Sequence, residues 1–202
     1  LEDSLAKREG AFEVLNFAVP GYSTYQEVET VAARGLAYDP DIVVVSWCVN
    51  DFSIPFFLFT RNEYREKDVS YFYNLLFDRK QFASMAAPQV RKGSQIEKGY
   101  MDPGVLENTG EEGVRRSLIR LKELGEREGF KIVVAGPMYH EIVDILNEIE
   151  MPYINFYKAM PANEYPKEYH IHFMHPREGG HRVIAEHLEK YFDEQGWLDA
   201  SP

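Results

Sequence analysis

The chain has 202 residues with a net charge of −11; 45% of residues are hydrophobic and 27% charged, which allows one α/β domain with a sizeable core. A pI near 5.0 argues against nucleic acid or an anionic membrane surface as a partner held by bulk charge. Cys48 is the one cysteine, so no intrachain disulfide forms, and no apolar run reaches the roughly 18 residues of a transmembrane helix. No signal peptide is visible, and composition assigns no compartment.

Residues 1–10 read as a helix end stopped at Gly10. Phe12 to Val19 reads as a short apolar strand ended by Pro20-Gly21. Ser23 or Thr24 then caps a helix that runs to about Ala37, with Glu27 three residues after Thr24 as in a capping box. Asp39-Pro40 breaks it, because a residue before proline disfavours helix. Ile42 to Val45 is an apolar, β-branched run, the pattern of a strand covered on both faces.

Residues 53–108 break the alternation of strand and helix. They carry two aromatic runs, Ile54-Pro55-Phe56-Phe57-Leu58-Phe59 and Tyr71-Phe72-Tyr73, and leave directly after Asn50-Asp51. The stretch reads as an insertion or lid at the mouth of a site, with Ser53, Phe56 and Phe57 the candidate substrate contacts; packing of its own aromatics is the alternative. Beyond it come a charged amphipathic helix over 111–128 with Gly129 after it, a buried strand from Lys131 to Ala135, and a helix over 139–150. A strand from Tyr153 to Phe156 and a closing helix over 178–195 follow. Strands alternating with helices predict a single domain over 1–202 with a parallel sheet and helices on both faces. Ligands bind such sheets at the carboxyl ends of strands. Gly21, Asn50 and His175, the last in a predicted loop before the closing helix, all map there.

Three blocks carry chemistry. They are Val14-Leu15-Asn16-Phe17-Ala18-Val19-Pro20-Gly21-Tyr22-Ser23-Thr24, then Val43-Val44-Val45-Ser46-Trp47-Cys48-Val49-Asn50-Asp51, then His172-Phe173-Met174-His175-Pro176 with Gly180-His181 beyond. A glycine at a strand end presents its backbone N–H with no Cβ in the way, and an asparagine amide donates to the same oxygen. A histidine is the usual general base. In this order the blocks resemble those of the SGNH (GDSL-type) ester hydrolases. The resemblance implies a flavodoxin-like three-layer parallel sheet and hydrolysis of a small carboxylic ester through an acyl-serine, without metal or organic cofactor. It implies Gly21 and Asn50 as oxyanion donors and His175 as the base.

The chain departs from the family in two places. The residue three before the base, where the family has an acid, is His172. A neutral imidazole orients its neighbour but does not neutralise an imidazolium; in a serine protease, neutralising the triad carboxylate costs about ten-thousandfold in rate. The family's Gly-Asp-Ser strand is also missing from the sequence. Glu2-Asp3-Ser4-Leu5 imitates it, but no strand precedes Ser4 and too little chain separates it from Gly21; a helix, a loop and a strand need roughly 30 residues. Ser23 reads as a helix cap and Cys48 as a small buried residue.

The nucleophile is therefore expected upstream of Leu1. Its strand, in the family, lies between those read here as 12–19 and 41–47. An N-terminal segment, a strand from another molecule, or direct closure of the two flanking strands is expected to satisfy that slot. Two other readings stand beside the hydrolase. One is a binding or regulatory module that keeps the fold and cleft without catalysis. The other is a metal site on His170, His172, His175 and His181.

Overall fold

The computed structural model describes residues 1–8, 12–53, 107–159, 170–171 and 175–198. In chain order these form α1 (Glu2–Leu5), α2 (Thr24–Ala33), a 3₁₀ turn (Gly35–Tyr38), β1 (Ile42–Ser46) and a second 3₁₀ turn (Val49–Phe52). Then come α3 (Gly110–Glu128), β2 (Lys131–Gly136), α4 (His140–Glu148), β3 (Tyr153–Asn155) and α5 (Phe156–Ala159). The pair β4 (His170–Ile171) and β5 (His175–Pro176) precedes α6 (Glu178–Glu194). The architecture mixes helix and strand around a parallel sheet in the order β1-β2-β3, with Val44 opposite Val133 and Ala135 opposite Ile154.

Each crossover steps one strand in the same direction. Parallel crossovers keep one hand, so successive ones of this kind put their helices on one face. The core agrees. Ile132 and Val134 of β2 meet Val28 of α2, Leu118 of α3 and Ile145 of α4 in one cluster. Val133 and Ala135, pointing the other way, join Ile154 with Leu188 and Phe192 of α6. Val133 and Val134 are both fully buried, each contributing about 1.5–3 kcal/mol by leaving water. Burial on both faces is why β2 reads as an unbroken apolar run.

Two sequence expectations move. The capping box forms one residue early: Ser23 is the cap, and Gln26 Oε1 accepts the Ser23 backbone N–H at 3.2 Å. Glu27 is thereby released from capping. The helix also stops at Ala33, and a tighter 3₁₀ turn carries the chain to Asp39, whose φ of 48° is left-handed.

The strand expected over 12–19 does not form. The Asn16 side chain takes the Ala18 backbone N–H at 2.9 Å, a local turn that competes with sheet pairing. Leu15 and Val19 stay 42% exposed, and Phe17 leans on Tyr38 with ring centroids 5.6 Å apart. An extended segment becomes a strand only by pairing, and among the described residues nothing pairs with it. Direct closure of 12–19 onto β1 therefore does not occur. Among the described residues β1 pairs with β2 alone, and Val44, at its centre, is 36% exposed. A three-stranded sheet with one such edge is coarser than the flavodoxin-like arrangement expected.

His175 also differs from expectation, sitting in β5 antiparallel to β4, opposite Ile171, where a loop was expected. A backbone pairing with the preceding segment replaces the loop. At the other end of the chain α1 docks on α6. The Ser4 hydroxyl bonds Glu189, and Arg8 bridges Glu189 at 3.0 Å and Asp193 at 2.5 Å.

Gly136 ends β2 against the last residues of the β1 run. A Cβ there would stand 2.2 Å from the Trp47 carbonyl oxygen, a backbone atom that cannot swing away. Gly136→Ala is expected to lower stability by about 1–3 kcal/mol, as overpacked cores do. Urea unfolding at unchanged m-value measures it; an unmoved midpoint would mean the two strand ends are not in this contact.

Candidate functional site

β1 delivers the chain to a tight knot. The Trp47 backbone N–H donates to Ala135 O at 2.9 Å, one ladder bond beyond the strand, and its buried ring meets Phe52 edge-on at 4.9 Å. The 3₁₀ turn Val49–Phe52 follows. Asp51 Oδ2 accepts the Cys48 backbone N–H at 2.9 Å, and the Asp51 backbone N–H returns to Cys48 O at 2.9 Å. The Ser53 backbone N–H closes on Asn50 O at 2.8 Å. Three bonds over six residues leave the Asn50 backbone little freedom.

Asn50 Nδ2 donates to the carbonyl of Tyr22 at 3.4 Å. That bond joins the turn after β1 to the loop before α2. Gly21 in that loop has φ of 82°, a left-handed conformation that glycine adopts at no steric cost. Two of the sequence candidates therefore lie side by side. An asparagine amide carries two N–H donors, so the bond to Tyr22 leaves the second for another acceptor.

The loop and the turn are half-buried, with Asp51 of the turn fully so. Burial pushes the Glu27 carboxyl up to about 7. Asp51, 2% exposed, is held well above the usual carboxylate range, first by burial and then by the charge of Glu27. The Cys48 thiol is raised too, by burial first and by Asp51 and Glu27 beside it. A thiol held protonated is a poor nucleophile, so Cys48 is not a candidate for attack.

Asn155, which sequence reasoning missed, closes the neighbouring strand end. It is 8% exposed; its Nδ2 donates to Met138 O at 2.9 Å, and its Oδ1 accepts the backbone N–H groups of Met138 at 3.2 Å and Tyr157 at 3.0 Å. The signal that finds it is the one that found Asn50, an asparagine ending a predicted strand. Its network sets Tyr139 and Tyr157 at the rim, with rings 5.2 Å apart and Tyr157 Oη donating to Tyr139 Oη at 3.0 Å. Tyr157 is pushed up to about 12, first by burial and then by the hydrogen bond to Tyr139.

The other candidates fall as follows. Ser53 is buried, 4% exposed, directly after the Asn50 turn. His175 lies in β5 just before α6. His172, Phe56 and Phe57, and nearly all of the 53–108 insertion, lie outside the described residues. Ser23 is buried as the α2 cap. Ser4 bonds a residue more than two turns along α6, roughly 16 Å of helix from its start. His181 is exposed on α6. Among the described residues no three His, Cys, Asp or Glu side chains converge as metal ligands.

Asn155→Ala leaves three buried or half-buried backbone groups without their partner. A loss of about 1–3 kcal/mol is expected, since an orphaned buried polar group costs that much. Thermal or urea unfolding reads it; full stability in the alanine variant would show that water replaces the amide without cost. No family model, no curated protein and no solved structure matches the chain, so its reading rests on its own residues.

Proposed function

We propose that this chain is the body of an SGNH-type ester hydrolase whose nucleophilic serine comes on a strand beyond the 202 residues. The observation that carries the reading is the bond from Asn50 Nδ2 to Tyr22 O, which sets the Asn50 amide against the Gly21 loop at the carboxyl end of β1. Two donors of different kind, one backbone and one side chain, then share a locus where a developing oxyanion is stabilised. The edge of β1 away from β2 is where the serine strand pairs.

The mechanism follows from these roles. His175 takes the proton of the serine hydroxyl as the hydroxyl attacks the ester carbonyl. The oxyanion is held by the Gly21 N–H, the Asn50 amide and the serine's own N–H. The alcohol leaves with the proton from His175, and water, activated by the same imidazole, releases the acid. A histidine at 172, where the family has its acid, does not neutralise the imidazolium of His175, which predicts a slow enzyme.

The test is a polypeptide in which a strand bearing Gly-Asp-Ser precedes residue 1, assayed on nitrophenyl acetate. Turnover is expected; His175→Ala abolishes it, and Asn50→Ala lowers kcat by about tenfold to a thousandfold, the cost of one oxyanion donor. Unchanged rates in both variants would end the assignment. His172→Asp is expected to hold or raise the rate, because a carboxylate stabilises the imidazolium. A collapse in that variant, with the fold intact, would show that the imidazole itself is required.

A further inference from the structure

The sheet carries a second group at the end where Asn50 sits, and the strand register places it there. Ser46 lies opposite Ala135, Trp47 bonds Ala135 O and presses on Gly136, and Gly136 lies opposite Asn155. Trp47, Gly136 and Asn155 therefore form one row across the ends of β1, β2 and β3. Just beyond the row come Asn50 from β1, Tyr139 from β2 and Tyr157 from β3. The two tyrosine segments leave the sheet one and two strand spacings from β1, roughly 5 and 10 Å. Packing ties them to the same place. Met138, next to Tyr139, is buried in the core cluster that holds Trp47, and Phe52 of the Asn50 turn packs edge-on against that Trp47 ring. Tyr157 also feels the charge at Cys48, where the turn begins.

Exposure alone does not mark the pair, since Tyr38, ahead of β1, is more exposed than either tyrosine. The distinction is the support beneath. Asn155 is buried and spends its amide on both tyrosine segments. Its Nδ2 donates to Met138 O, and its Oδ1 accepts the backbone N–H groups of Met138 and Tyr157. At their tips the rings are joined again, by the bond from Tyr157 Oη to Tyr139 Oη at 3.0 Å. Two part-exposed rings are thus held in one arrangement, 5.2 Å apart and tilted by 51°. Side chains ordered in advance lose little freedom when a ligand lands on them.

The arrangement selects its occupant. A third ring packs offset on a face or edge-on, and two rings tilted in this way offer a face and an edge in one contact. A net charge of −11 works against an anion. A cation over rings that water still reaches keeps its hydration and gains little. An uncharged ring gains from both buried area and stacking. We propose that Tyr139 and Tyr157 form a subsite for the aromatic ring of an uncharged aryl ester whose carbonyl lies at Asn50. The subsite stands on register, packing and hydrogen bonds; that its ring belongs to an ester rests on the hydrolase reading. Because the tyrosines meet the ring and not the reacting carbonyl, they act through binding and leave the chemical step alone.

The experiment is a titration of the chain with phenyl acetate and with cyclohexyl acetate, followed by ligand-observed NMR, for the native sequence, Tyr139→Ala and Tyr157→Ala. The two probes share a six-membered ring and differ in its π face. The native chain should bind phenyl acetate more tightly than cyclohexyl acetate. Each alanine variant should weaken phenyl acetate about twofold to tenfold, the worth of one aromatic pair, and erase the preference. No binding of phenyl acetate, equal affinity for the two probes in the native chain, or a preference that survives in either alanine variant overturns the subsite. Should an alanine variant not fold, Overhauser contacts in the native chain decide. Contacts from the phenyl protons to the Tyr139 and Tyr157 rings support the subsite, and contacts only to other residues overturn it. Binding is read without turnover. A ring held at the tyrosines beside a failed esterase assay ends the hydrolase reading alone, and turnover without any dependence on the tyrosines ends the subsite alone.

Discussion

Everything at the candidate site hangs on how β1 ends. Trp47 makes one more ladder bond, to Ala135, and its carbonyl then presses on Gly136 so closely that no side chain fits between. This contact sets where the chain leaves the sheet. From there the Val49–Phe52 turn is closed by Asp51 on Cys48 and by Ser53 on Asn50, which aims the Asn50 amide at the loop before α2. The core supports the same geometry from behind, because β2 is clamped between α3 and α4 on one face and α6 on the other. A rigid strand end carrying a short, over-determined turn is the usual way a domain positions a polar side chain.

Burying Asp51 in that turn has a cost. Burying carboxyls without cations destabilises a domain unless a proton is retained. A stabler core would fill the space with apolar groups, as α3 does elsewhere with Leu118 and Leu121. Part of the buried polarity, Asp51 and Ser53, sits in the turn that carries Asn50, and part, Ser23 and Thr24, at the start of α2. Strain and buried charge concentrate where a site must be held in one arrangement.

Much of the fold was legible because burial writes a periodic pattern. α3 and α6 were read within a residue or two, and β2 stood out as Lys131 to Ala135, since Val133 and Val134 face opposite cores. The segment 12–19 was misread for a physical reason. Its apolar residues suit a strand, but a strand exists only in a pairing, and Asn16 spends the backbone N–H of Ala18 locally. Of the two caps the sequence offers for α2, Ser23 is used, and its box closes on Gln26 where Glu27 was expected, because Ser23 with Gln26 and Thr24 with Glu27 satisfy the same spacing. Gly21 and Asn50 were found by their positions at strand ends.

The central claim is that the Gly21 loop and the Asn50 amide form one oxyanion site at the end of β1. The most direct measurement is a crystal structure of the protein, with the proposed serine strand in place, after reaction with a fluorophosphonate. The account predicts a phosphonyl oxygen within about 2.7–3.1 Å of both the Gly21 nitrogen and Asn50 Nδ2. An adduct whose oxygen faces solvent, or one bonded to a serine elsewhere in the fold, would contradict it.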